Sequence, residues 1–391
     1  MGLAVRRARR ARGLTLEQAA GLAGHTKSWL SKVENGVLPL DKRADIAALA
    51  TALEVSADTL IGEPAPEVQP GRRSWNLAAI RATLLDTAPD DPPDVPARPF
   101  HVLRELTTQA VASCRGARYD DLMPVLPGLI GELEVTAATA SGPAREEALR
   151  LLVTAEQAAV SVLRYLAQPD LAWVAGERGR QAAALLGDPV WEGAAAFAAA
   201  HARSSANRPR ALMTMPAAAD RLEPLVSQSR MAMEVYGMLR LSAALACAVD
   251  GDHAGAADHG AEAARIAAPL GDEPTAWEMF MPSNVAIWRT SLAVEAGNPE
   301  RAREYAAGVE PRVLPSRNRR AAWHYEHARA LAMAGKNPEA ITELRRAERL
   351  SPVTVQNHPL LRELVRQMLD DSRRRAGMRD LRGLAWRMGM V

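Results

Sequence analysis

Within residues 12–36 the chain starts and stops a helix twice: Arg-Gly-Leu-Thr-Leu-Glu-Gln-Ala-Ala-Gly-Leu-Ala-Gly-His-Thr-Lys-Ser-Trp-Leu-Ser-Lys-Val-Glu-Asn-Gly. Thr15 precedes an apolar-periodic run, with Gln18 three residues on. That is the capping-box pattern, in which a hydroxyl takes a backbone N–H and an amide reaches back to the cap. Leu16, Ala19, Ala20 and Ala23 share one face of the helix so started. Gly24 stands where a tight turn needs positive φ. Thr26 caps a second helix whose buried stripe is Leu30 and Val33, and Asn35-Gly36 ends it. Two short helices joined by a three- or four-residue turn have the geometry of a helix-turn-helix.

The outward face of the second helix carries Lys27, Ser28, Ser31 and Lys32, all able to donate to phosphates or base edges. Charge points the same way. Residues 1–43 hold nine basic side chains against three acids, a net of +6, whereas the whole chain is only +2. Positive charge is concentrated where a polyanion would bind.

Thr26 through Gly36 resembles the recognition-helix signature of the XRE family of lambda-repressor-like regulators. The similarity runs from about Val5 to Gly62 and implies a five-helix domain, with a fourth helix over Asp41–Leu53 and a fifth over residues 56–60. It implies that the helix starting at Thr26 lies in the major groove. Lys27, Ser28 and Trp29 would then face bases, with Ser31, Lys32 and Asn35 near the backbone. The chain departs from the family at two places. Leu16 stands where many members have Gln, and His25 where many have an aliphatic residue. Trp29 fits two readings equally: packing on the neighbouring helix, or contact with a thymine methyl.

The remaining length, 391 residues in all, leaves room for two or three domains. Ala, Leu, Arg and Glu dominate, aromatics are 4% and no β-branched run occurs, so an all-α chain is expected. Cys114 and Cys247 have no ligand-like spacing, which argues against structural zinc or a disulfide framework and suits a reducing cytoplasm. Arg from position 6, with no apolar run after it, is not the pattern of a secretory leader. Alanine runs such as 193–202 are too short and weak to span a bilayer, so no membrane partner is expected. No Gly-rich phosphate loop, His-Glu-x-x-His, nucleophile elbow or acid–base pair is evident, so the chain reads as non-catalytic, with no cofactor.

Residues 63–74 form a proline-rich linker, and 86–99 a second punctuated stretch around Asp90-Asp91-Pro92-Pro93-Asp94. One short helix is expected between them, over Trp75–Leu85. The expected division is therefore a DNA-binding domain over 1–62, a joint over 63–99 and a helical-repeat domain over 100–391. In the last of these, small residues at Ala328, Ala340 and Ala347, with Pro352 after them, occupy the tetratricopeptide positions where two antiparallel helices approach closely. The turn Gly335-Lys-Asn-Pro-Glu-Ala340 recurs at Gly297-Asn-Pro-Glu-Arg-Ala302 and Gly251-Asp-His-Ala-Gly-Ala256, and more weakly at 206–211. The marker alanines 211, 256, 302 and 340 are 45, 46 and 38 residues apart, against about 34 for ideal units. The units are degenerate.

A helix-turn-helix head, a Pro-rich joint and such an array together resemble a group of regulators from GC-rich bacteria. The arrangement is also similar to that of peptide-responsive quorum-sensing regulators, whose array binds a short peptide on its concave face and contributes to dimerisation. The resemblance implies a homodimer on a two-fold operator of double-stranded DNA, with a small-molecule or peptide signal. The alternative is an array that docks a partner protein and takes no small ligand. A solenoid presents the first helix of each pair on its inner face. Candidate inner helices over 194–204, 231–249, 283–296 and 322–334, with the segment before the third, put forward His201, Tyr236, Arg240, Trp277, Phe280, Asn284, Trp288, Trp323 and His327 as ligand residues. Asn284 lies one turn before Trp288, where a carboxamide bridges an extended backbone, and Arg240 can take a carboxylate. The same aromatic residues also suit a packed core, and Asn284 also suits a helix cap. His324 and His327 lack an evident third metal ligand, and the 373–375 arginine run reads as a solvated helix face.

Overall fold

The computed structural model describes residues 1–61, 77–203, 208–271, 277, 280–372 and 379–390. The linker over 63–74, the first two residues of the 206–211 turn and the 373–375 arginines lie outside the described residues. Every described element is helical, apart from an isolated bridge between Ala88 and Asp91.

The N-terminal head comprises α1 (Gly2–Ala11), α2 (Leu16–Leu22), α3 (Lys27–Glu34), α4 (Arg43–Leu53) and α5 (Ala57–Ile61). Local chemistry sets its boundaries. The Thr15 hydroxyl accepts the Gln18 N–H at 3.2 Å, and the Gln18 carboxamide accepts the Thr15 N–H at 2.9 Å. Gly24 adopts φ +73° between α2 and α3, and Gly36 adopts +70° after α3. Val5, Ala20, Leu30, Val33, Leu49 and Leu53 pack into the core these turns bring together.

The helical region begins with α6 (Ala78–Asp86), α7 (Phe100–Arg115), α8 (Tyr119–Leu122), α9 (Leu126–Thr139), α10 (Gly142–Tyr165), α11 (Pro169–Leu186) and α12 (Pro189–Ala202). It continues through α13 (Arg208–Leu212), α14 (Met215–Leu222), α15 (Arg230–Val249), α16 (His253–Ala267), α17 (Pro282–Glu295) and α18 (Pro299–Ala307). It ends with α19 (Arg317–Met333), α20 (Asn337–Leu350), α21 (Pro352–Asn357), α22 (Pro359–Ser372) and α23 (Arg379–Arg387). Successive helices pack as pairs: α10 with α11, α15 with α16, α17 with α18, and α19 with α20. One device closes three of the first helices. Gly251, Gly297 and Gly335 each adopt positive φ two residues past the helix end. Asp252 and Asn298 then cap the following helix through the N–H groups of Gly255 and Arg301.

Small residues set the spacing between helices. A Cβ on Gly176 would lie 2.9 Å from the Ala199 Cα, so α11 and α12 approach backbone to backbone. At Gly237 the Phe280 ring fills the space a side chain would need. Ala321, Ala328, Ala340 and Ala347 are fully buried between α19 and α20. The packing is thus repeat-like. The helix long and apolar enough to cross a membrane, α15, is mostly buried inside the protein and is a core helix.

The joint expected over 63–99, with its one short helix, is in part packed: Ile80 and Leu84 of α6 are buried in the same core as α9, α10 and α11. The head packs directly on the helical region. Leu360 of α22 enters the head core, Ala47 of α4 packs on the core of the α12–α16 region, and the Met1 amino group lies 3.6 Å from Glu363. The strongest tie is ionic. Glu295, at the end of α17 and 0% exposed, accepts the Arg43 N–H at 2.7 Å, the Arg43 guanidinium at 2.6 Å and Arg329 at 2.9 Å. Arg329 also donates to the Asp41 carbonyl of the head at 3.0 Å and to Glu326 at 2.8 Å. Burial alone would raise the Glu295 carboxyl, but the two guanidinium charges outweigh it and hold the group below its ordinary range.

A second buried ionic cluster lies within the helical region. Arg178 of α11 bridges Glu134 of α9 and Glu156 of α10 and donates to the Thr87 carbonyl. Two carboxylates share one cation here, and Glu156 Oε2 has no partner. Burial pushes the Glu156 carboxyl up to about 7, against the pull of Arg178 and with repulsion from Glu134.

These clusters generate two predictions of opposite sign. Glu156 is raised on folding, so the folded state holds the extra proton between the ordinary carboxyl value of 4.5 and about 7, and stability falls as pH rises through that window. Glu156→Gln is expected to remove that slope and to raise the melting temperature at pH 8 by about 2 °C or more, because Oε1 remains an acceptor for Arg178. An unchanged slope in thermal melts from pH 5 to 8 contradicts this account. Glu295 is lowered on folding, so its contribution is present above the ordinary carboxyl value and is lost as pH falls through the folded one. Glu295→Gln leaves the buried Arg329 and the half-buried Arg43 short of an anion, a loss of about 3 kcal/mol. Hydrogen exchange across residues 43–53 should accelerate, whereas exchange in α10 and α11 should not.

Candidate nucleic-acid interface and ligand cavity

Helix α3 offers its outer face to solvent. Thr26, Lys27, Ser28, Lys32 and Asn35 are exposed, and Ser31 is half-buried. Trp29 is also half-buried and stacks on His25, with ring centroids 3.6 Å apart and planes 7° from parallel. His25 Nε2 lies 3.2 Å from Asp45 of α4. One of the two residues that depart from the family pattern thus links the turn to α4 through its contact with Asp45 and its stack on Trp29. Asn35 donates to the Ser31 carbonyl at 2.8 Å and accepts from Arg6, so its carboxamide also holds the end of α3.

The basic N-terminus is less available than its composition suggests. Arg9 lies 2.5 Å from the buried carboxylate of Glu34, and Arg6 lies 3.3 Å from it. Arg12 donates to the Ala52 carbonyl and to Glu54, both at 2.6 Å. These arginines fasten α1 to α3 and to the end of α4. Arg7, Arg10, Lys27 and Lys32 remain exposed. Sequence reasoning missed the part played by Glu34. Its position inside the second motif helix, opposite an Arg-rich first helix, was the available signal.

A cavity of about 770 Å³ lies between head and helical region. Arg43, Ile46 and Ala47 of α4, with Ala57 and Ile61 of α5, form its head-side wall. The opposite walls come from α10, α12, α15, α17 and α19, with α7 and α21–α22 at one end. On α15 the wall is Met231, Met238, Leu245 and Val249, a spacing of two, two and one helical turns that keeps one face inward.

Of the nine candidate ligand residues, His201, Trp277, Asn284 and Trp288 line this cavity. His201 Nε2 is 2.9 Å from the Ser242 hydroxyl, and its ring lies edge-on to Trp288 at 5.8 Å. Trp277 donates its indole N–H to Gln157 at 2.9 Å. The Trp288 indole nitrogen is buried without a hydrogen-bond partner.

The other five are not brought there. Tyr236 and Arg240 occupy another face of α15: Arg240 donates to the Tyr236 hydroxyl at 3.0 Å and to Asp220 at 2.8 Å, and Tyr236 donates to Glu262. Phe280 is spent on the close approach at Gly237. Trp323 donates to the Ala306 carbonyl at 3.0 Å, on the side of α19 that faces α18, and His327 packs tilted against it. His324 is ion-paired with Glu343 at 2.5 Å. Among the described residues no group of three His, Cys, Asp or Glu is placed to hold a metal ion.

The sequence reading also missed cavity residues: Arg164 and Tyr165 at the end of α10, Arg319 and Tyr325 on α19, and the head residue Ile46. Burial raises the Tyr165 and Tyr325 phenols above their ordinary value, so both stay protonated at neutral pH.

The comparisons with known proteins bear on the head. No curated protein matches the chain. Residues 1–60 match the family model of a helix-turn-helix domain, over the five helices of the head, and the chain therefore carries a DNA-binding helix-turn-helix domain.

Proposed function

We propose that the protein is a sequence-specific transcription regulator whose helical region, read as a degenerate tetratricopeptide-like array, senses a small molecule or short peptide and changes operator binding. The carrying observation is the cavity, walled on one side by α4 and α5 of the head and on the other by the array. A ligand there touches both parts, so its affinity depends on where the head sits. By linkage, occupancy then biases head position and with it the binding of DNA. A cavity of about 770 Å³ has the size of a small-ligand site. That favours a small signal over the docking of a folded protein partner.

On DNA, α3 enters the major groove of a two-fold operator in a homodimer, with Lys27, Ser28 and Lys32 reaching outward and Trp29 held against His25. The regulator works in the cytoplasm. Arg7, Arg10, Lys27 and Lys32 supply the phosphate contacts, because the other arginines of α1 are engaged within the head.

Sequencing of genomic fragments retained by the purified protein should yield a palindromic motif. On that motif, Lys27→Ala and Lys32→Ala are each expected to weaken binding and to reduce the slope of log K against log salt by about 0.9. Unchanged slopes in both variants would remove α3 as the DNA contact.

A further inference from the structure

One end of the cavity holds more positive charge than its own carboxylates neutralise. Arg164 ends α10 and Arg319 lies in the first turn of α19, and both line the cavity. Their Nε atoms are buried without a hydrogen-bond partner. Among the described residues, neither guanidinium forms an ion pair or side-chain hydrogen bond, unlike Arg43, which is held by Glu295. Arg115 adds a third cation to the same end. The carboxylates that line the cavity are Glu326, bound by Arg329 at 2.8 Å, and Asp170, which is exposed.

This end is built rather than incidental. Asn318 donates to the Cys114 carbonyl at 2.8 Å, the Ser316 hydroxyl to the Arg115 carbonyl at 3.0 Å, and Asn357 to the Tyr165 carbonyl at 2.8 Å. These bonds tie the ends of α7 and α10 to the start of α19 and to α21. Tyr165 and Tyr325 both sit within electrostatic range of Arg164 and Arg319, and Tyr325 also of Glu326 and Arg43. The far part of the cavity is apolar, with Phe197, Met238, Leu245, Trp288 and the head residue Ile46. Both arginines are half-buried with only Nε enclosed, which leaves their terminal nitrogens to hold a bound carboxylate through charge-assisted hydrogen bonds.

We propose that the cavity takes an amphipathic carboxylate, its anionic group bound by Arg164 and Arg319 and its apolar body laid along Trp288 and Phe197 toward Ile46. The proposal rests on the reading of the cavity as the ligand site. Two sources share this chemistry: a free organic acid, and the C-terminus of a short apolar peptide.

The test uses the full chain with dodecanoate and dodecanol, followed by tryptophan fluorescence and calorimetry. A second pair of probes is an apolar pentapeptide with a free or an amidated C-terminus. The acid is expected to bind at least about tenfold tighter than the alcohol, and Arg164→Gln and Arg319→Gln each to weaken the acid by about tenfold without moving the alcohol. Both variants should melt at or above the parent temperature, since each removes an uncompensated cation. A drop in melting temperature with no change in acid binding would mark the arginines as structural and overturn the proposal. Ser161→Trp, or Thr154→Phe should the first not fold, fills the cavity and should abolish binding of every probe. Acid and alcohol bound equally, both blocked by the filled cavity, would overturn the anionic class while leaving the cavity as a ligand site. Binding that survives the filled cavity, or no binding by any probe, would overturn both. Preference for the free-acid peptide over dodecanoate assigns the peptide source, and the reverse order assigns a free acid; either supports the proposal.

Discussion

Glu295 holds the head and the helical region in one body. A carboxylate with no solvent contact is stable there only because Arg43 of the head and Arg329 of α19 both neutralise it. Without it Arg329 would keep only Glu326 as a counter-ion. The pairing fixes α4 against α17 and α19, and that placement makes the head a wall of the cavity. Where the head shifts, as the proposed function requires, a charged latch suits the interface. It is strong when closed, yet each of its groups can be solvated when open, whereas an extended apolar face would aggregate on exposure.

The array supplies the other half of the geometry. Glycine and alanine at 176, 199, 237, 328 and 340 bring helices closer than larger side chains permit. Positive-φ glycines at 251, 297 and 335 repeat the same turn at unequal spacing. First helices of the pairs therefore face a common space although the units differ in length. Their apolar residues fill the far part of that space, and the ends of α7, α10 and α19 leave arginines at the other.

In the head, several arginines work inside the fold. Glu34 draws Arg6 and Arg9 onto α3, and Arg12 closes on the end of α4. The recognition helix is braced by the charges that composition alone would assign to phosphate. Of its outward side chains Lys27, Ser28 and Lys32 are exposed, and on the proposed function such a pre-organised surface meets DNA with little ordering to complete.

The helix-turn-helix was legible because its determinants are local. Thr15, Gln18, Gly24, Thr26 and Gly36 act on neighbours within four residues, and periodicity at three and four reports the buried stripe directly. The repeat turns were legible for the same reason, and so was the adjacency of Asn284 and Trp288, one helical turn apart. Which face of each helix turns inward was not. Tyr236 and Met238 are two residues apart on α15, yet only Met238 reaches the cavity, because partners on α14 and α16 decide the rotation of that helix. Arg164 and Arg319 carry no sequence mark, since an unpaired arginine looks the same as a solvated one until burial removes its water. Docking of the head lay furthest from reach. It joins Arg43 to Glu295, 252 residues apart, and a contact at that separation exists only once the intervening helices have packed.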